Sequence, residues 1–260
     1  MQSNEAIFKI DQNFNLHATK IPEQCSSMQV VNLGALSFVD SSLSCDTFNI
    51  IHIKNGELAT RENIENAVCF FKNKEHDFCL WINTENLTPP VINTLKTLNL
   101  TEQNQEVGML LSLEEYQPVE DDNHANISRV STPNELLTYA NAIAMNWSPP
   151  DQNVLAYYKK AANNYLNQEN VVLLTYEVDG KVVSTVELFA SDEETIGLYG
   201  FTTLQTYRGL GIGSSLMTYS LNLVKSKGYK NAILQATEDG LGIYRTYGFK
   251  DFTTYFEFSW

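Results

Sequence analysis

The chain has 260 residues, 43% of them hydrophobic, and a formal net charge of −14. That length and apolar content suit one large or two ordinary domains with a buried core, and exclude a disordered chain. The negative balance argues against nucleic acid or an anionic membrane surface as partner. No run approaches the roughly 18 apolar residues of a membrane helix. The stretch from Met1 to Lys20 is polar and does not read as a secretory leader, so the cytoplasm is the expected compartment. The four cysteines, Cys25, Cys45, Cys69 and Cys79, form no Cys-x-x-Cys pair and read as reduced core thiols.

In chain order, Phe48 to Ile53 is apolar and β-branched and reads as a strand. Thr60 caps a helix whose apolar positions Ile64, Ala67, Val68 and Phe71 recur at helical spacing. Asp77 to Ile82 reads as a strand, Thr88 and Pro89 open a helix through Leu98, and Val107 to Leu113 is another strand. The segment 114–126 (EEYQPVEDDNHAN) is acidic and broken by Pro118. It reads as a linker, dividing the chain into 1–125 and 126–260. Beyond it, a short strand at Ile127–Val130 precedes a helix signalled by Thr132, Pro133 and Glu135, and a second helix from Asn153 to Leu166. Val171–Val178 and Lys181–Phe189 are strands joined at Asp179-Gly180, a strong hairpin signal. A strand at Thr195–Thr203 leads through glycines to an amphipathic helix, Ser214–Lys227. Strand Ala232–Gln235, a short helix around Leu241–Thr246 and strand Phe252–Trp260 complete an α/β (α+β) pattern.

The glycine turn reads Tyr207-Arg208-Gly209-Leu210-Gly211-Ile212-Gly213-Ser214, after a strand and at a helix start. Amides of a first helical turn lack internal partners, and the helix dipole favours an anion there. The turn therefore suits a pyrophosphate. It has no lysine, as a Walker loop would need. Counting from Gly209, Ser214 stands where a dinucleotide fingerprint needs Gly or Ala, and Lys227–Lys230 supplies no ribose-binding acid. The pattern Arg/Gln-x-x-Gly-x-Gly/Ala fits through Arg208, Gly211 and Gly213.

With the hairpin before it and the ending Ile243-Tyr244-Arg245-Thr246-Tyr247-Gly248-Phe249 after it, the chain from about 126 to 260 resembles the Gcn5-related N-acetyltransferase (GNAT) superfamily. The resemblance implies a GNAT fold with a central mixed, mostly antiparallel sheet in the second half. The first half lacks the phosphate motif. From Phe48 to Leu113 it resembles the N-terminal region of a bacterial GNAT subgroup with unassigned acceptors, and reads as a degenerate, cofactor-free α/β half. It completes the acceptor cleft, widens the core or dimerises; the sequence leaves these open.

The donor implied is acetyl-CoA, with CoA as product and no metal. Backbone groups of Phe201, Thr202 and Thr203 would meet the pantetheine arm and acetyl carbonyl. Backbone amides of Arg208, Gly209, Leu210, Gly211, Ile212, Gly213 and Ser214 would cradle the pyrophosphate. Tyr244 would lie near the thioester sulfur and protonate the leaving thiolate, unless it is only a core aromatic. Thr237 stands where the family often has Asn. All four histidines and all four cysteines precede residue 125, so the second half offers no Cys-His or Ser-His-Asp arrangement and no zinc site. Direct attack by an amine, of a small molecule or a peptide, is the expected chemistry. Glu187 is the first candidate base, on either the solvent face or the cleft face of its strand. Glu238 and Asp239 follow, and Tyr199 and Trp147 are candidates to line the acceptor site. The alternatives are a non-catalytic acyl-CoA sensor or partner-binding module, and transfer of a longer acyl group.

Overall fold

The computed structural model describes residues 2–120 and 122–260. Met1 and Asp121 lie outside them, and with them a part of the polar N-terminal reading and of the linker reading. The chain clusters into two compact units, each discontinuous in sequence. One comprises Met1–Met109, Gln235–Leu241 and Asp251–Trp260; the other comprises Leu110–Leu234 and Gly242–Lys250.

The first unit contains helices α1 (Ser3–Glu23), α2 (Arg61–Lys74) and α3 (Pro89–Thr97). Its strands are β1 (Gln29–Asn32), β2 (Leu36–Asp40), β3 (Ile50–Ile53), β4 (Cys79–Asn83), most of β5 (Thr101–Ser112) and most of β11 (Lys250–Ser259), in the order β1-β2-β3-β4-β11-β5. β3 and β4 are parallel, whereas β1–β2, β2–β3 and β4–β11 are antiparallel. Thr60 caps α2 by accepting from the Asn63 amide, and the predicted stripe Ile64, Ala67, Val68 and Phe71 is buried. Phe71 stacks on Phe78 and meets Phe38 and Phe70 edge-on. Cys25, Cys45 and Cys79 are buried, as core thiols would be, but Cys69 is exposed. The apolar run around Cys69 pointed inward by composition, yet helical rotation turns this position away from the stripe.

Asp40, at the end of β2, is 1% exposed and bonds Lys74 Nζ at 2.5 Å, with His76 Nδ1 at 3.3 Å. Burial pushes its carboxyl up, but Lys74, the Ser42 amide and His76 together hold it below the ordinary 3.8. A depressed folded value contributes stability that is whole above the unfolded value and is lost as pH falls through the folded one. Asp40→Asn is therefore expected to cost about 1–2 kcal/mol at pH 7, given that Lys74 is partly solvated. In urea unfolding that gap should persist to about pH 4 and shrink below it; a gap independent of pH would refute the ion pair as its source.

The second unit contains β6 (Ile127–Arg129), α4 (Pro133–Ala144), α5 (Gln152–Leu166), β7 (Val171–Val178), β8 (Lys181–Ala190), β9 (Thr195–Thr203), α6 (Ile212–Ser226) and most of β10 (Asn231–Ala236). Its strand order is β10-β9-β8-β7-β6, antiparallel except for the parallel pair β10–β9. This is the mixed, mostly antiparallel sheet expected. Thr132 and Glu135 form a capping box at the start of α4. Asp179 and Gly180 both take positive φ, +51° and +75°, as a tight two-residue hairpin turn requires. The last helix, α7 (Glu238–Thr246), has its first residues in the first unit and its last in the second. Among the described residues no helix is long and apolar enough to cross a membrane.

Candidate active site

β9 carries the feature that organises the site. Its register against β8 pairs Thr185 with Thr202 but Glu187 with Tyr199. Gly200 and Phe201 thus oppose the single residue Val186, which is a β-bulge. Gly200 has φ +52°, and a Cβ there would lie 3.1 Å from the Tyr139 hydroxyl, so the position needs glycine on both counts. On its other side β9 pairs with β10 only over Thr195–Gly197. Beyond Gly197 the strand continues to Thr203 beside β8 alone. A bulge and the end of a ladder therefore fall in one short stretch, leaving backbone donors and acceptors for something other than the sheet.

Two hydroxyls of β8 hold this stretch. Ser184 Oγ donates to the Thr202 carbonyl at 2.5 Å and lies 2.9 Å from Thr203 Oγ1. Thr185 Oγ1 donates to the Gly200 carbonyl at 2.9 Å. The Thr202 carbonyl is thus engaged by β8, whereas its hydroxyl donates to Asn146 Oδ1 at 2.6 Å.

The chain then passes a 3₁₀ turn, Gln205–Tyr207, and enters the glycine turn. Gly209 and Gly211 have φ of +76° and +80°, and a Cβ at either would meet no atom within 4 Å. They are glycines for their backbone, and the space above them is open. Gly211 is the N-cap of α6, and the first intrahelical bond runs from the Ser215 amide to the Gly211 carbonyl. The amides of Ile212, Gly213 and Ser214 precede that bond at the positive end of the helix. A Cβ on Gly213 would come 3.1 Å from Thr203 Oγ1, so α6 starts tight against the end of β9. Arg208 folds back, its Nε donating to the Thr203 carbonyl at 2.9 Å, and Leu210 is exposed. An open cradle of amides with no acidic residue in the helix's first turn fits a pyrophosphate.

Tyr244, on α7, is buried, with its ring 6.2 Å from that of Phe201 and 6.0 Å from that of Phe249. The structure therefore brings Tyr244 to the bulge. Tyr247 bonds the first turn of α6: its hydroxyl donates to the Ser214 carbonyl at 2.8 Å and lies 3.0 Å from Thr218 Oγ1. Thr237 and Glu238 are exposed at the start of α7, on the stretch that clusters with the first unit.

Glu187 is 2% exposed, which removes the solvent-face reading. It opposes Tyr199 on β9 and Leu173 on β7, so these side chains share a face. The phenols of Tyr139, Tyr158 and Tyr165 are all pushed well above 10, first by burial, with the Glu187 carboxylate adding to the rise in each. They stay protonated at neutral pH and can donate hydrogen bonds, but cannot accept a proton as phenolates would. Tyr199 is half-buried. Trp147, 44% exposed, sits one residue after Asn146, which anchors the α4–α5 connection to Thr202. A separate groove of about 290 Å³ is lined by Ser128, Arg129, Asn134, Thr138, Thr175 and Glu177 among others, and by none of the predicted acceptor residues.

Ser184, Thr185, Asn146 and Tyr247 were not singled out by sequence reasoning. The signal for the first two was present, as adjacent hydroxyls in a strand of valines. Nothing in the sequence marks which carbonyls they meet.

The first unit has a strand-to-helix turn of its own, β3 to α2, and it is closed. A Cβ on Gly56 would fall 1.8 Å from the Asn86 carbonyl oxygen. The Gly56 amide donates to Asn86 Oδ1, and the amides of Glu57 and Leu58 to Asn55 Oδ1. β3 and β4 stay paired from Ile50 and Cys79 through Ile53 and Ile82. Neither an open amide cradle nor a parted ladder exists at that turn.

Residues 138–249 match the Acetyltransferase (GNAT) family. The fold is similar to that of a GCN5-related N-acetyltransferase from Kribbella flavida, with a TM-score of 0.67 and 17% identity over 95% of this chain and 94% of that one. It is similar to a functionally unknown conserved protein from Staphylococcus epidermidis, with a TM-score of 0.65 and 16% identity over 89% and 93%. A tandem GNAT protein from the clavulanic acid biosynthesis pathway aligns with a TM-score of 0.61 and 11% identity over 91% and 84%. No curated protein matches the sequence. The stretch that matches the GNAT family holds the bulged strand, the glycine turn and Tyr244, and the fold of the chain is similar to that of GCN5-related N-acetyltransferases, one of them a tandem GNAT protein.

Proposed function

We propose that this protein binds acetyl-CoA at the β9–α6 turn and transfers the acetyl group to a primary amine by direct attack, releasing CoA. The observation that carries the reading is the ladder between β9 and β10 ending at Gly197, followed along the chain by the bulge at Gly200 and Phe201 and by an open helix N-terminus at Gly211. The bound thioester supplies the acetyl group. The amides of Ile212, Gly213 and Ser214 hold the pyrophosphate, and backbone groups at Phe201 hold the pantetheine arm. Thr202 contributes through its hydroxyl link to Asn146, which orients the connection carrying Trp147 beside the acceptor. Glu187 takes the amine proton, directly or through water, and the Tyr244 hydroxyl protonates the departing sulfur. Holding both reactants in line supplies much of the rate. The lack of His and Cys after residue 125 supports direct transfer over an acyl-enzyme.

Tyr244's burial between Phe201 and Phe249 also favours a second reading, a CoA-binding sensor in which the tyrosine only packs. Free-thiol release from acetyl-CoA across polyamines, amino acids, aminoglycosides and peptides with free N-termini separates the two. The enzyme reading expects an acceptor, with Tyr244→Phe lowering kcat about tenfold or more at a nearly unchanged KM for acetyl-CoA. Binding without turnover on any of these amines, or a Tyr244→Phe variant with full kcat, would favour the sensor.

A further inference from the structure

Resting on the acetyl-CoA reading, we propose that Ser184 and Thr185 are positioning residues: a pair of hydroxyls on β8 that fixes the β9 bulge for the pantetheine arm and ties it to the pyrophosphate turn. Both are fully buried, at 0% exposure. Their acceptors are the carbonyls of Gly200 and Thr202, which flank Phe201. A bulge disrupts the ladder and leaves a residue without its cross-strand partner, so side-chain bonds have to define the local backbone.

The two hydroxyls divide the task. Thr185 reaches only the bulge, through the Gly200 carbonyl. Ser184 reaches both regions. It bonds the Thr202 carbonyl and also lies 2.9 Å from Thr203 Oγ1. Thr203 in turn is the closest neighbour to the space above Gly213, and its carbonyl accepts from Arg208. Thr203 is therefore a junction between the bulge and the first turn of α6, and Ser184 holds that junction from behind. An ordinary pair of satisfied core hydroxyls would contribute stability alone and would not separate the two ends of the ligand.

That separation is the test. Acetyl-CoA engages both the arm edge and the turn, whereas 3′-phospho-ADP, which lacks the arm, engages only the turn. By calorimetry, Thr185→Val is expected to weaken acetyl-CoA about tenfold and leave 3′-phospho-ADP within twofold of wild type. Ser184→Ala is expected to weaken both ligands, and Ser184→Thr, which keeps a hydroxyl, to restore them. Thr185→Ala carries the same expectation as Thr185→Val and stands in should valine not be accommodated. Equal loss of both ligands in the Thr185 variants, or wild-type acetyl-CoA binding in them, overturns the assignment. Wild-type protein that binds 3′-phospho-ADP and acetyl-CoA equally would also overturn it. Absence of any acetyl-CoA binding by wild-type protein would instead overturn the functional reading beneath it.

Discussion

Gly211→Glu should reduce acetyl-CoA affinity at least 100-fold while leaving the protein folded. Gly211 sits at φ +80° as the N-cap of α6, with no atom within 4 Å of where a side chain would begin. An L-residue in that conformation costs about 1–2 kcal/mol. A carboxylate at a helix N-terminus returns about 0.3–1 kcal/mol through the helix dipole, so the net cost to folding is small. The same carboxylate would occupy the space and the positive potential meant for the pyrophosphate. Two like charges about 4 Å apart repel by ~4 kcal/mol at an effective dielectric of 20, well over the 2.8 kcal/mol that corresponds to 100-fold. Gly211→Ala keeps the amides and adds no charge, so it should cost only the conformational part. Titration calorimetry on both variants checks the pair. Equal affinities for Gly211→Glu and wild type would mean the pyrophosphate does not bind this turn.

Glu187→Gln should lower turnover about 100-fold, within the 10²–10⁴ that general-base groups typically contribute, with acetyl-CoA affinity unchanged. The carboxylate is buried, opposes Tyr199 next to the bulge, and is surrounded by phenols that remain protonated. Within that cluster it is the group able to accept a proton. Glutamine preserves shape, but it exchanges one acceptor oxygen for a donor and lacks that capacity. Turnover should therefore fall in the variant while the unfolding midpoint stays as in wild type. If Glu187 instead serves the fold, Glu187→Gln would lower the unfolding midpoint and leave the turnover of the folded protein near that of wild type.

The parts of the site legible in the sequence were those where local chemistry decides the backbone. Asp179-Gly180 selects a hairpin turn, Thr132 with Glu135 selects a helix start, and Gly209 and Gly211 take the positive φ their turn requires. Elements held by long-range contacts were less visible. Helix α1 has a polar composition and buries a thin stripe that includes Asn13 and Thr19, so its 21 residues carried no clear apolar period. Its Asp11 accepts from Asn83 and Tyr255 and lies 3.1 Å from His52 Nε2, partners distant in sequence. Strands β1 and β2 were missed beside it because β2 is buried on both faces and has no alternation to read. β11 pairs with β4, joining the C-terminus to the first unit, a pairing that no local pattern encodes. The bulge was equally hidden, because it arises from the register between β8 and β9. Glu187 shows the same limit. Composition left two faces open, and only the strand pairing and packing chose the buried one.

The most direct measurement is calorimetric titration of the full chain with acetyl-CoA, with the unfolding midpoint recorded in parallel. With the β9–α6 turn open and the β3–α2 turn filled by Asn86, one molecule should bind per chain and raise the midpoint, and Gly211→Glu should remove both effects. No heat and no shift with wild-type protein, or two molecules bound per chain, would contradict it.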